Sequence, residues 1–117
     1  MENKLEALRQ AKEYIENFIE VANSTIAAIQ VGEDKNVYNV IAQMSEGIEW
    51  LLNIFKLTTD IQIQKINTNG VTNVIENIVQ AIENKDFILL QDTMQYELIE
   101  QLLEWKREIA VTLDYCS

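Results

Sequence analysis

Glu97, Glu100, Glu104 and Glu108 recur at three- and four-residue spacing within ELIEQLLEWKREI. On a helix that spacing puts carboxylates in a row, and a row of carboxylates turned into a helical bundle can hold metal ions. The direction of the row therefore decides whether it has any chemistry. At about 100° per residue, Glu100, Glu104 and Glu108 fall within about 60° of Glu97. Leu98, Leu102, Trp105 and Ile109 centre near 110° on the same wheel, and Ile99, Leu103 and Ala110 near 220°, with the angles about as exact as an ideal helix. The acids stand opposite the apolar face, which predicts a solvated surface.

The remaining candidates for chemistry are sparse. Di-metal bundle sites add Glu-x-x-His motifs to their carboxylates, and this chain has no histidine. The commonest general acid-base is missing with it. Ser24 and Ser45 fall inside expected helices with no base in view. Cys116 has acids rather than cations near it in sequence, the reverse of what activates a thiol. Gly32, Gly47 and Gly70 are the only glycines and form no phosphate-binding loop. The expectation is a protein with no catalytic residues, no cofactor and no metal site, and so not an enzyme. A metal-dependent enzyme using carboxylates alone is the alternative outside binding.

The elements that would position these residues follow from composition and periodicity. The chain has 117 residues, no proline and three glycines, which suits one domain over 1–117 built from long helices. Leu5, Leu8, Ile15, Ile19, Ala22, Ile26 and Ile29 make one stripe of a first helix over Glu2–Gln30. Ala7, Ala11, Tyr14, Phe18, Val21 and Ala28 make a second stripe beside it, and Gly32 supplies a stop. A second helix is expected over Asp34–Leu57, with Val37, Val40, Ile41, Met44, Ile48, Leu51, Leu52 and Phe55 inward. A third spans Thr68–Asn84, capped by Thr68, with Val71, Val74, Ile75, Ile78, Val79 and Ile82 inward. A fourth begins at the N-cap Asp86 and runs to about Leu113. Residues 58–67 read as a loop with helical ends.

These helices predict an all-α fold, an antiparallel up-down four-helix bundle. AAIQVGEDKNVYNVIAQMSEGIEW and QAIENKDFILLQDTMQYELIEQLLEW share a plan: Ala-Ile at a helix end, a polar turn, then an apolar helix reaching a Trp. Two readings of the echo stand, a pair of similar αα-hairpins or shared helical periodicity.

Net charge −10 makes nucleic acid and anionic membrane surfaces poor partners. Two readings of the charge stand: it simply keeps a small protein soluble, or it favours a basic peptide or a cationic protein face. One cysteine cannot form an internal disulfide, and no signal peptide or membrane-spanning run is visible, so the expected compartment is the cytoplasm. One feature departs from a simple bundle. Gly47, Trp50, Ile54 and Leu57 form a second stripe on helix 2, away from its main apolar face. Either the 58–67 loop or a neighbouring helix covers it, or it is an exposed patch for a protein partner or a second copy of the chain.

MSEGIEWLLNIFKLT and QAIENKDFILLQDTMQYELIEQLLEWK are similar to a set of short acidic bacterial proteins described only as a domain of unknown function. That resemblance implies a bacterial, cytosolic, helical protein and brings no activity. QAIENKDF also resembles turns of flagellar export chaperones, small helical bundles that hold a secreted subunit. This second likeness implies a chaperone-like binding of an amphipathic segment. The expected function is a non-enzymatic protein-binding module acting through an apolar helix face.

Overall fold

A computed structural model describes residues 2–33 and 35–116, and all regular structure among them is helical. Helix α1 spans Glu2–Gln30 and α2 spans Val37–Leu57. A single 3₁₀ turn, Thr59–Ile61, opens an irregular segment that reaches α3, Val71–Glu83. Helix α4, Phe87–Thr93, runs through a π-helical turn, Met94–Leu98, into α5, Ile99–Cys116. The backbone stays helical at both junctions, with Met94 at φ −64 and Ile99 at φ −62, so these three pieces form one rod. The molecule measures 45 × 22 × 20 Å. The 29 residues of α1 account for the long axis, since they rise about 43 Å at 1.5 Å each.

Helix α1 packs against both α2 and α5, and α3 packs on α4 and the π turn. A Lys4–Asp60 ion pair of 2.7 Å sets the start of α1 beside the end of α2. Lys106 reaches Glu16 at 3.8 Å and ties α5 to α1. Both pairs are exposed and screened by solvent, so neither contributes much to stability. The stronger cohesion is apolar. Leu8, Ile15, Leu51, Ile78, Leu90, Leu102, Trp105 and Ile109 are all sealed from solvent in one continuous core. Ile48 is buried as its position on helix 2 predicted.

The helix ends repay comparison with the sequence. Gly32 sits at φ +80 and closes α1, with Gly32 N–H donating to Ile29 O and Glu33 N–H to Ala28 O. This is the Schellman pattern, in which a left-handed residue satisfies the last carbonyls. Asp86 caps α4 by accepting from Leu89 N–H at 3.0 Å, as expected. Two starts differ. Asp34, the expected start of the second helix, lies outside the described residues, and α2 begins at Val37. Thr68 does not cap α3, which begins three residues later behind Gly70 with no side-chain cap. The Asn67 side chain accepts from Asn69 N–H and holds the chain in a turn, which delays the helix.

Three side chains also depart from the helical wheels. Val21 and Val79, placed on apolar faces, are exposed. Glu108, placed on the wet face, is buried. Eight residues turn about 800°, which leaves Glu108 about 80° round from Glu100 and at the edge of the apolar face. The segment after α2 then lies over it.

Candidate functional site

Gly47, Trp50, Ile54 and Leu57 do share one side of α2, but the structure divides them. Gly47 is buried, and a Cβ there would overlap the Tyr14 hydroxyl and ring edge. The space that glycine leaves is thus filled by Tyr14 of α1, not left open for another backbone. Trp50 stands edge-on to Tyr14, with centroids 5.2 Å apart and planes at 68°. Tyr14 stands edge-on to Phe18 at 5.9 Å and 89°. Such edge-to-face pairs add about 0.5–1.5 kcal/mol to area burial. Trp50 nonetheless keeps 39% of its surface in solvent. Ile54 is half-buried against the core, and Leu57 is 62% exposed at the helix end. A neighbouring helix therefore covers part of the stripe, and Trp50 and Leu57 remain open.

The Tyr14 phenol lies at this seam beside Glu46. Burial pushes its pKa above the ordinary tyrosine value, and the Glu46 charge pushes it the same way. It is therefore a neutral phenol at physiological pH. Around it the α1–α2 seam opens into a pocket of about 220 Å³ whose walls include Phe18, Val21, Val40 and Met44.

A second constellation was missed by the sequence reading. The segment after α2 is bolted to α5 by buried polar groups. Trp105 is fully buried, and its indole N–H donates to Asn67 O at 2.8 Å. The Glu108 carboxylate accepts from Asn67 N–H at 3.3 and 3.4 Å. Thr112 Oγ1 accepts from Ile63 N–H at 2.9 Å. Gln62 Nε2 donates to Phe55 O at 2.8 Å and to Thr58 Oγ1 at 3.0 Å, while its Oε1 accepts from Ile66 N–H. An irregular segment packed on a core must satisfy its backbone somewhere, and these side chains do it. Phe55 closes the assembly edge-on to Trp105 at 5.1 Å.

Burial pushes the Glu108 pKa up, with Glu104 adding to the rise; the Asn67 amide and Arg107 oppose it. The sign of the sequence pattern was present: Trp105, Glu108 and Thr112 sit at three- and four-residue spacing, the period of a buried face. What they bond to lies some 40 residues away in the chain and leaves no local trace.

The acidic row thus separates. Glu97 and Glu100 are exposed, Glu104 is half-buried and pairs with Arg107, and Glu108 belongs to the bolt. Among the described residues no three Asp, Glu, Cys or His side chains gather where a metal ion could be held. Nor is any helix among them long and apolar enough to cross a membrane.

The profile of the family described as Domain of unknown function (DUF8042) matches residues 6–108. The chain belongs to that family. The matched span runs from the first turns of α1 to Glu108, so it includes the α1–α2 seam and most of the bolt. No curated protein and no solved structure matches the chain.

Proposed function

We propose that this domain is a non-enzymatic protein-binding module, an up-down helical bundle that meets a partner, or a second copy of itself, through the open side of α2. The observation that carries this reading is Trp50. A tryptophan offers a large contact area on few rotatable bonds and is the residue type most enriched at binding hot spots. Here it is steered into position by Tyr14 and still 39% exposed. Leu57, at 62% exposure two turns along, extends the same apolar side. The single cysteine suits a reducing cytoplasm.

The test is Trp50→Glu. The variant is expected to keep the helical circular dichroism of the wild type and to lose partner capture or self-association in sedimentation. Unchanged capture and unchanged association in a folded variant would remove Trp50 from the interface.

A chaperone-like hold on an amphipathic segment is the second reading, and the pocket beside Tyr14 is what favours it, because it is concave and apolar. A carboxylate-only metal enzyme has no such support. Its acids would have to converge, and those of α5 diverge from solvent to core.

A further inference from the structure

The pocket beside Tyr14 is one part of a longer groove. A second pocket toward the end of α1 shares Val21 and Val40 with it, and a third toward Trp50 shares Tyr14 and Gln43. Together they follow the α1–α2 seam from Ala28 to Trp50. From Ala28 back to Tyr14 the α1 wall rises about 21 Å, or about four helical turns. The central pocket, at about 220 Å³, exceeds the ~150 Å³ that admits a benzene ring.

The charge of this groove is of one sign. Among the described residues, Glu20, Glu33 and Glu46 line it and no lysine or arginine does. The pocket beneath the segment after α2 is the opposite, with Lys56 and Lys65 and no acid among the described residues. The groove therefore presents a negative face to an incoming segment.

Short of the α1–α2 turn at Glu33 and Asn36, its walls are two α-helices whose backbone groups bond within their own helices. An extended peptide laid there would find no edge to pair with and would leave its own amides without partners. A helix satisfies its backbone internally and brings only side chains to the contact.

We infer that the α1–α2 groove is the docking site for a basic amphipathic helix of a partner protein, with one bulky apolar side chain seated between Phe18, Val21 and Met44 and lysines or arginines over Glu20, Glu33 and Glu46. This deepens the protein-binding reading and rests on it. A second copy of the chain fits less well, since two chains of net charge −10 repel.

The experiment uses the whole chain and a synthetic 18-residue Leu/Lys amphipathic helix, with a Leu/Glu helix of the same apolar pattern as control. Titrations followed by tryptophan fluorescence and by calorimetry are expected to show saturable 1:1 binding of the Leu/Lys helix and none of the Leu/Glu helix. Glu20→Lys with Glu46→Lys should weaken binding by about tenfold or more, and Val21→Gln should weaken it severalfold. Ile88→Gln, on the exposed side of α4 and outside the groove, should leave it unchanged. Binding of both helices alike, or binding indifferent to these groove variants, overturns the inference. So does a concentration-dependent dimer abolished by Val21→Gln, which would make a second copy the occupant. If the Leu/Lys helix fails to bind while Trp50→Glu still abolishes partner capture, the groove inference falls and the protein-binding reading stands.

Discussion

The two hairpins turn in the same way and end differently. Helices α1 and α3 both finish with Ala-Ile followed by a Schellman turn: Ala28, Ile29 and left-handed Gly32 in one, Ala81, Ile82 and left-handed Lys85 in the other. In the second turn Lys85 N–H donates to Ile82 O and Asp86 N–H to Ala81 O, matching the first bond for bond. Beyond the turn each chain climbs a helix to a tryptophan. Trp50 stays at the surface, and Trp105 is fully buried. The second hairpin carries a π turn, Met94–Leu98, that the first lacks. It also receives the segment after α2 as a lid. Equal local patterns thus give unequal environments once an extra turn and a crossing segment are added. Trp50 stays open to solvent, and the segment after α2 covers Trp105 instead.

The comparison breaks most visibly at the tryptophans. Trp105→Ala removes the largest core side chain and orphans Asn67 O, so urea unfolding should show a loss of about 3–5 kcal/mol. Trp50→Ala should lose less than half as much. Equal losses would mean that Trp50 is a core residue and that the surface reading fails.

Glu108 sharpens the contrast next. Glu108→Ala leaves the Asn67 N–H without a partner under the lid and should cost about 1–3 kcal/mol. Glu104→Ala, one turn away and more exposed, should stay within about 0.5 kcal/mol. Glu108→Gln keeps an acceptor and removes the charge. Because the folded pKa of Glu108 is raised, the folded state holds this proton more tightly than the unfolded one. Its contribution is complete below the ordinary glutamate value and is lost as pH rises through the raised value. The stability difference between Glu108→Gln and wild type should therefore grow in favour of the variant across that window. A difference that does not vary with pH would show that Glu108 is not desolvated.

The smallest effects concern the turns and the seam. Lys85 holds φ 54, which favours glycine. Lys85→Gly should stabilise by about 0.5–1 kcal/mol, and Gly32→Ala should destabilise by about the same. Thermal unfolding of the pair would show whether the turns are equivalent. Gly47→Ala gains about 1 kcal/mol of helix propensity but displaces the Tyr14 ring. Its net stability should stay within about 1 kcal/mol of wild type, while the Tyr14 and Trp50 resonances shift in NMR spectra. Unmoved resonances would mean that Tyr14 does not rest against Gly47.

Periodicity, breakers and caps are local, and the sequence alone settled what depends on them. Four apolar-striped rods, the stop at Gly32, the cap at Asp86, the burial of Ile48 and the irregular nature of residues 58–67 all follow from residues within a turn or two of one another. The stripe of Gly47, Trp50, Ile54 and Leu57 was legible as a departure from the main face, but not its division. Only tertiary packing brought Tyr14 into the space above Gly47, because that contact joins two helices whose relative rotation no local pattern specifies. The same holds for Glu108. Its helical position made it marginal, and the crossing of residues 62–67 made it buried. A wheel fixes the angle of a side chain about its own axis. What stands at that angle, water or another part of the chain, is set by neighbours distant in sequence, and that decided both the open groove and the closed bolt.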